Sequence, residues 1–155
     1  MKKNAESARI QIRPAVENDF PAILELIREL AAFEKAPHRV HNTVKQMQAE
    51  KDYFRALVAQ TEQGEIVGMA LFYFAYYTWV GKSLYLDDLY VREKWRGRGI
   101  GRRLLNRVLQ IAEENQCKRV RWQVLRWNKP AIDFYRKIGA TLDDEWINCD
   151  WEFLE

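Results

Sequence analysis

Cysteine is scarce: Cys117 and Cys149 are the only two in 155 residues. With so few thiols and no Cys/His pattern at metal-ligand spacing, neither a disulfide framework nor a zinc site is expected, and no metal is assigned. No apolar run reaches the roughly 20 residues of a membrane span, so no membrane partner is expected. The excess of one charge sign is small, since 25 Lys and Arg face 22 Asp and Glu for a net charge of +3. That balance excludes a strongly basic nucleic-acid binder as the average character of the surface. Internal repeats and low-complexity segments are absent. Met1 to Ala8 is polar and lacks the apolar core of a signal peptide, so it reads as a short tail and the protein as cytoplasmic. What remains, residues 9–155, has the length of one globular domain.

Within that domain, Arg9 to Pro14 alternates as a strand does. Asn18 or Asp19 is placed to cap a helix with Phe20, Ile23, Leu24, Ile27, Leu30 and Ala31 on one face. Asn42 or Thr43 opens a shorter helix reaching about Glu50, and Phe54 to Ala59 reads as a strand. Glu62, Gln63 and Gly64 supply a turn into the long apolar strand Ile66 to Tyr76. Leu84 to Val91 is a further strand with Asp87 and Asp88 inside it. From Ile100, the spacing of Leu104, Leu105, Val108, Ile111 and Ala112 predicts a helix ending near Asn115. Val120 to Val124 reads as a central strand. Asn128 caps a helix with Pro130 in its first turn, Gly139 closes it in the left-handed conformation, and Trp146 to Leu154 supplies the last strands. The order predicts an α/β domain with a mixed sheet covered by helices.

Arg96-Gly97-Arg98-Gly99-Ile100-Gly101 lies between the strand ending at Val91 and the helix beginning near Ile100. Successive backbone N–H groups at such a place can point at an anion beside the positive end of a helix. A Cβ would block close approach, and Arg96, Arg98, Arg102 and Arg103 add counter-charge for more than one phosphate. The P-loop reading fails, because Gly81-Lys82-Ser83 has Tyr76 where the upstream glycine belongs. A dinucleotide fingerprint starting at Gly97 fails at Arg102. A tight turn with solvated arginines and a small nucleic-acid patch including Arg92 and Lys94 are the rival readings.

The R-x-x-G-x-G stretch after an apolar strand resembles the acetyl-CoA signature of the GNAT N-acetyltransferase family. Ile12-Arg13-Pro14-Ala15, the strand Tyr85 to Val91, Trp127-Asn128-Lys129-Pro130-Ala131 and the stretch Asp133 to Ala140 are similar to its diamine acetyltransferase branch. That branch includes spermidine/spermine and thialysine acetyltransferases. The resemblance implies a twisted, mostly antiparallel mixed sheet of about six or seven strands with helices on both faces, and a homodimer. It implies acetyl-CoA as co-substrate, contacted by Leu89, Tyr90, Val91, Arg96, Gly97, Arg98, Gly99, Ile100, Gly101, Arg102, Asn128, Pro130 and Ala131.

An alkyl amine has a pKa of about 10, so a proton must leave before nitrogen can attack a thioester carbonyl. Backbone N–H groups near Leu89 to Val91 can stabilise the oxyanion if that strand is bulged beside the cofactor. The resemblance makes Tyr135 the proton donor to the departing thiolate, where the helix pattern alone gives a core aromatic beside Phe134. It makes Asp87 the acid that binds or deprotonates the amine, with Asp88 facing the other way as a structural partner, because strand neighbours alternate. Phe33, Glu34, Trp79, Arg121, Trp122, Gln123 and Glu145 become substrate-pocket positions, with Asp144 as an alternative to Glu145. Tyr77-Thr78 before Trp79 resembles the thialysine type, whereas the spermidine type has an acid and a proline there. The expected activity is acetyl transfer to a primary amine of a small cation: a lysine-like amino acid, ornithine, a diamine or a polyamine. The alternatives are a protein N-terminal or lysine acetyltransferase, and a non-catalytic CoA or nucleic-acid binding module.

Overall fold

Strand pairing begins within the alternating stretch Arg9 to Pro14, at Gln11. In the computed structural model, which describes residues 9–154, β1 is Gln11–Pro14, followed by α1 at Phe20–Phe33 and the short α2 at Val44–Ala49. Next come β2 at Arg55–Gln60, β3 at Ile66–Tyr77, β4 at Gly81–Val91, α3 at Ile100–Glu114, β5 at Arg119–Arg121 and α4 at Lys129–Lys137. The chain divides into two compact units, Met1–Gln123 and Val124–Glu155.

In the first unit the sheet order is β1-β2-β3-β4-β5, with antiparallel pairs up to β4 and a parallel β4-β5 pair. The sheet is mixed and mostly antiparallel, as expected, but it has five strands among the described residues. Two expectations account for the difference. The strand expected as central at Val120 to Val124 is three residues long and lies at the end of the strand order. The segment Trp146 to Leu154, expected as terminal strands, carries no strand pairing. Apolar alternation marks a face for burial, but a strand also needs a hydrogen-bonding neighbour for its backbone.

Paired residues share a face of a sheet, so the register sorts the core into two layers. Ala56 and Val58 of β2, Met69 and Leu71 of β3 and Tyr90 of β4 pack with Phe20, Ile23, Leu24 and Leu26 of α1 and Met47 of α2. The opposite face carries Leu57, Ala59, Gly68 and Ala70, and α3 lies on it with Leu104, Leu105 and Val108 fully buried. Gly68 permits this approach, since a Cβ there would lie 3.1 Å from the Tyr90 carbonyl and 3.3 Å from Leu104 Cδ1. Helices therefore cover both faces.

Thr43 caps α2 by accepting from the Gln46 N–H at 3.1 Å, as its residue type suggests. Asp19 departs from the expected role. It stands at the start of α1 with no side-chain cap bond, and its carboxylate instead takes both Arg13 donors at 2.7 and 2.8 Å and the Val16 N–H at 2.8 Å. A bidentate, charge-assisted pair outcompetes a single cap bond. Those guanidinium hydrogen bonds hold the Asp19 carboxyl below its ordinary range, and the pair ties β1 to the entry of α1.

In the second unit, Asn128 caps α4 through the Ala131 N–H at 3.4 Å, with Pro130 in the first turn. Gly139 follows at φ 99°, the left-handed closure expected for it.

Candidate active site

The geometry of the first unit's acidic site is set by one extra residue. Leu71 of β3 pairs with Asp88 of β4, but the next residue, Phe72, pairs with Leu86, so Asp87 is a bulge in β4. In a β-bulge two residues of one strand oppose one of its partner, which breaks the alternation and turns both toward one face. Asp87 and Asp88 accordingly line the same cavity, of about 270 Å³, with Asn42 and Tyr73. This corrects the expectation that the two acids face opposite ways. Asp88 belongs beside Asp87. The rest of the cavity wall is apolar, made by Ile27, Met47, Phe54 and Leu71.

Three carboxylates are grouped here. Glu34, the residue after α1, is pushed above its ordinary carboxyl range by burial and then by the charge of Asp87. Burial also raises Asp87. Asp88 is pushed up to about 7, by burial first and then by Asp87 and Glu34. Aromatic hydroxyls surround the group. Tyr73 and Tyr85 are cross-strand partners with ring centroids 5.4 Å apart. Burial, followed by Asp87, Tyr73, Tyr77 and Asp88, pushes the Tyr85 phenol up to about 12. The carboxylates of Asp87, Asp88 and Glu34 have no hydrogen-bond or ion-pair partner among the described residues. A crowded set of carboxylates with no cation beside it favours binding one. Among the described residues no group of three or more His, Cys, Asp or Glu is arranged to hold a metal ion.

Beyond Asp88, β4 continues through Leu89, Tyr90 and Val91 into the glycine turn. Gly97 and Gly99 both have positive φ, 74° and 80°, and a Cβ on either would meet nothing within 4 Å. Gly99 stands at the start of α3 in the left-handed conformation without a side-chain cap. The first intrahelical bond runs from Arg103 N–H to the Gly99 carbonyl at 3.0 Å. The N–H groups of Ile100, Gly101 and Arg102 precede that first bond at the helix end, the place where an anion cradle draws its donors. The diphosphate of acetyl-CoA fits such a cradle.

The arginines around the turn have structural partners. Arg96 Nε donates to the Val91 carbonyl at 2.9 Å, and its guanidinium stacks 5.3 Å from the Phe33 and Tyr90 rings. Arg98 donates to the Lys94 carbonyl at 3.1 Å and stacks on Trp95. Arg102 reaches Asn106, and Arg103 holds the Ile10 carbonyl at 2.8 Å. Arg92, part of the rival nucleic-acid patch, is ion-paired with Glu25, Glu29 and Glu65.

The remaining expected positions are dispersed. Phe33 ends α1, and Trp79 is 83% exposed in the β3–β4 turn. Arg121 ends β5 and is followed by Trp122 and Gln123. Asn128, Pro130, Ala131, Tyr135 and Glu145 belong to the second unit. There Tyr135 lies on α4 with its ring 5.7 Å from Phe134, Asp144 pairs with Arg126 at 3.4 Å, and Glu145 is exposed. Sequence reasoning missed Tyr73, Tyr85 and Asn42. The pairing of two tyrosines across β3 and β4 was the signal for the first two.

The model of the acetyltransferase (GNAT) family matches residues 20–140. A thialysine N-epsilon-acetyltransferase of Mus musculus is 38% identical over 94% of this chain and 94% of its own. A spermidine/spermine N(1)-acetyltransferase-like protein 1 of Homo sapiens is 39% identical over 84% of this chain and 20% of its own length. Among solved structures, an aminoglycoside acetyltransferase from an uncultured soil metagenomic sample, in complex with trehalose, superimposes with a TM-score of 0.77 at 25% identity, covering 95% of this chain and 98% of the other. A glycine cradle at a helix start, an adjoining bulged strand and a family match over most of the length lead to one conclusion: the chain belongs to the GNAT acetyltransferase family and is an acetyl-CoA-dependent N-acetyltransferase.

Proposed function

We propose that the protein acetylates a primary amine of a small cationic substrate, a lysine-like amino acid, ornithine, a short diamine or a polyamine, held at Glu34, Asp87 and Asp88. The observation that carries this reading is the bulge at Asp87, which gathers acids on one face beside Tyr73 and Tyr85. The names of the thialysine and spermidine/spermine relatives support it. Aromatic faces beside carboxylates stabilise an ammonium through both quadrupole and charge.

Acetyl-CoA, when bound, supplies an acetyl group activated as a thioester. The N–H groups at Gly97 to Arg102 would hold its diphosphate, and Leu89 to Val91 would contact its pantetheine arm. The carboxylate pair then has two tasks. It draws the ammonium into the cavity, and it accepts the proton that must leave before the nitrogen lone pair is free. A carboxyl near neutrality accepts that proton more readily than one at its ordinary value. Tyr135 is assigned proton donation to the departing sulfur, and Asn128, Pro130 and Ala131 further cofactor contacts. Phe33, Trp79, Trp122, Gln123 and Glu145 complete the substrate assignment. Two free thiols fit a reducing cytoplasm, and the exposed Trp146, Ile147, Trp151 and Phe153 of the second unit suit a homodimer.

A thiol-release assay with acetyl-CoA and a panel of amines tests the reading. L-Lysine, L-ornithine or their thioether analogues turn over at least as efficiently as spermidine. Spermidine as the best substrate overturns the preference, and no turnover with any amine overturns the reading.

A further inference from the structure

β5 adds two cations to the face that carries the acids. Parallel pairing sets Arg121 beside Tyr85 and Arg119 beside Ser83, while Tyr85 itself pairs with Tyr73. Paired residues share a face, so both arginines lie on the side of Tyr73, Tyr85, Asp87 and Asp88. The guanidiniums of Arg121 and Arg119 stand 4.7 and 5.5 Å from the centre of the Tyr77 ring. Among the described residues that ring is the one partner of either guanidinium. Other cations of β2 and β4 are placed differently: Arg55 and Lys82 stack on Phe74, a residue of the opposite face.

One surface thus displays two guanidiniums without a carboxylate and three carboxylates without a cation. They do not neutralise each other: Tyr77, on which both guanidiniums stack, pairs with Gly81, on the far side of Arg119 and Arg121 from Asp87 and Asp88. From Arg121, opposite Tyr85, the acid at Asp87 is two residues further along β4, about 7 Å of strand rise. That backbone offset, which the flexible arginine stem lengthens or shortens at the guanidinium, is of the same order as the distance between the two ends of lysine. A linear polyamine would carry a second ammonium toward the arginines and be repelled.

Resting on the proposed amine acetylation, we propose that Arg121, supported by Arg119, receives the α-carboxylate of a basic amino acid whose side-chain amine is held by Glu34, Asp87 and Asp88. The planar fork of arginine takes a carboxylate through two parallel hydrogen bonds, and the Tyr77 ring orients that fork. The substrate is then a zwitterionic amino acid with a cationic tail, and acetylation falls on the tail.

The test pairs each amino acid with its decarboxylated counterpart: L-lysine against cadaverine and L-ornithine against putrescine, each with acetyl-CoA. Wild-type kcat/KM favours the amino acid of each pair by about tenfold or more. Arg121→Ala raises KM for L-lysine by roughly 10- to 100-fold with a smaller change in kcat, and costs L-lysine at least about ten times more kcat/KM than it costs cadaverine. Arg121→Lys recovers part of the loss. A wild-type preference for the diamines, or equal losses on both members of a pair, overturns the carboxylate site while leaving amine acetylation in place. If no amine is acetylated, the amine reading falls and this one with it. The wild-type comparison needs no variant, so a misfolded mutant does not shelter the proposal.

Discussion

Asp88→Asn lowers kcat/KM for the amine by about 100-fold or more, because it removes a proton acceptor and one of the charges that attract the ammonium. The pH profile identifies which loss dominates. With its carboxyl pushed up to about 7 by burial and by Asp87 and Glu34, Asp88 is neutral below that pH and ionised above it. Wild-type kcat/KM therefore rises with pH and levels off above about 7, and the asparagine variant loses that limb. Stability moves the other way. A carboxyl whose folded pKa is raised stabilises the fold only while protonated, so its contribution is fully present below the unfolded value near 4 and is lost as pH rises through about 7. At pH 8 the variant melts a few degrees above wild type, measured by thermal unfolding. A wild-type rate independent of pH between 6 and 8, together with an unaffected variant, removes Asp88 from the site. Loss of activity with loss of stability would make it structural.

Gly99→Val is expected to raise KM for acetyl-CoA by roughly 10- to 100-fold through two effects. The backbone at φ 80° disfavours a β-branched residue, and the new side chain enters space in which nothing stands within 4 Å of its Cβ. Gly64→Val separates the two effects. It carries the same kind of strain at φ 91° in the turn between β2 and β3, outside the Gly97 to Arg102 turn. Calorimetric titration with CoA then shows weakened binding for Gly99→Val alone. Equal binding by both variants would mean that the turn is strained without being a cradle.

α3 was legible because Leu104, Leu105, Val108 and Ala112 recur at helical spacing, and all four are buried. The glycine turn was legible because Gly97 and Gly99 precede that helix, and both adopt the left-handed backbone. The bulge was not legible. No glycine or proline marks Leu86 to Asp88, and strict alternation over the strand assigned Asp88 to the wrong face. One inserted residue was enough to bring a supposed scaffold acid into the same cavity wall as Asp87. The arginine pair on β5 was equally hidden, since its relation to Tyr77 and Tyr85 depends on a parallel register that no local pattern specifies. Asp19 shows the same limit at smaller scale: a good capping residue by type was taken by Arg13.

The central claim is that a small cationic amine, and not a polypeptide, is the acetyl acceptor. It is tested most directly by competition in a single vessel. Limiting acetyl-CoA is offered to the protein with equal concentrations of L-lysine and an unstructured peptide bearing a free N-terminus and an internal lysine, and the products are weighed by mass spectrometry. The account predicts that nearly all the acetyl groups are found on the free amino acid, on its side-chain nitrogen. Acetyl groups found chiefly on the peptide would contradict it.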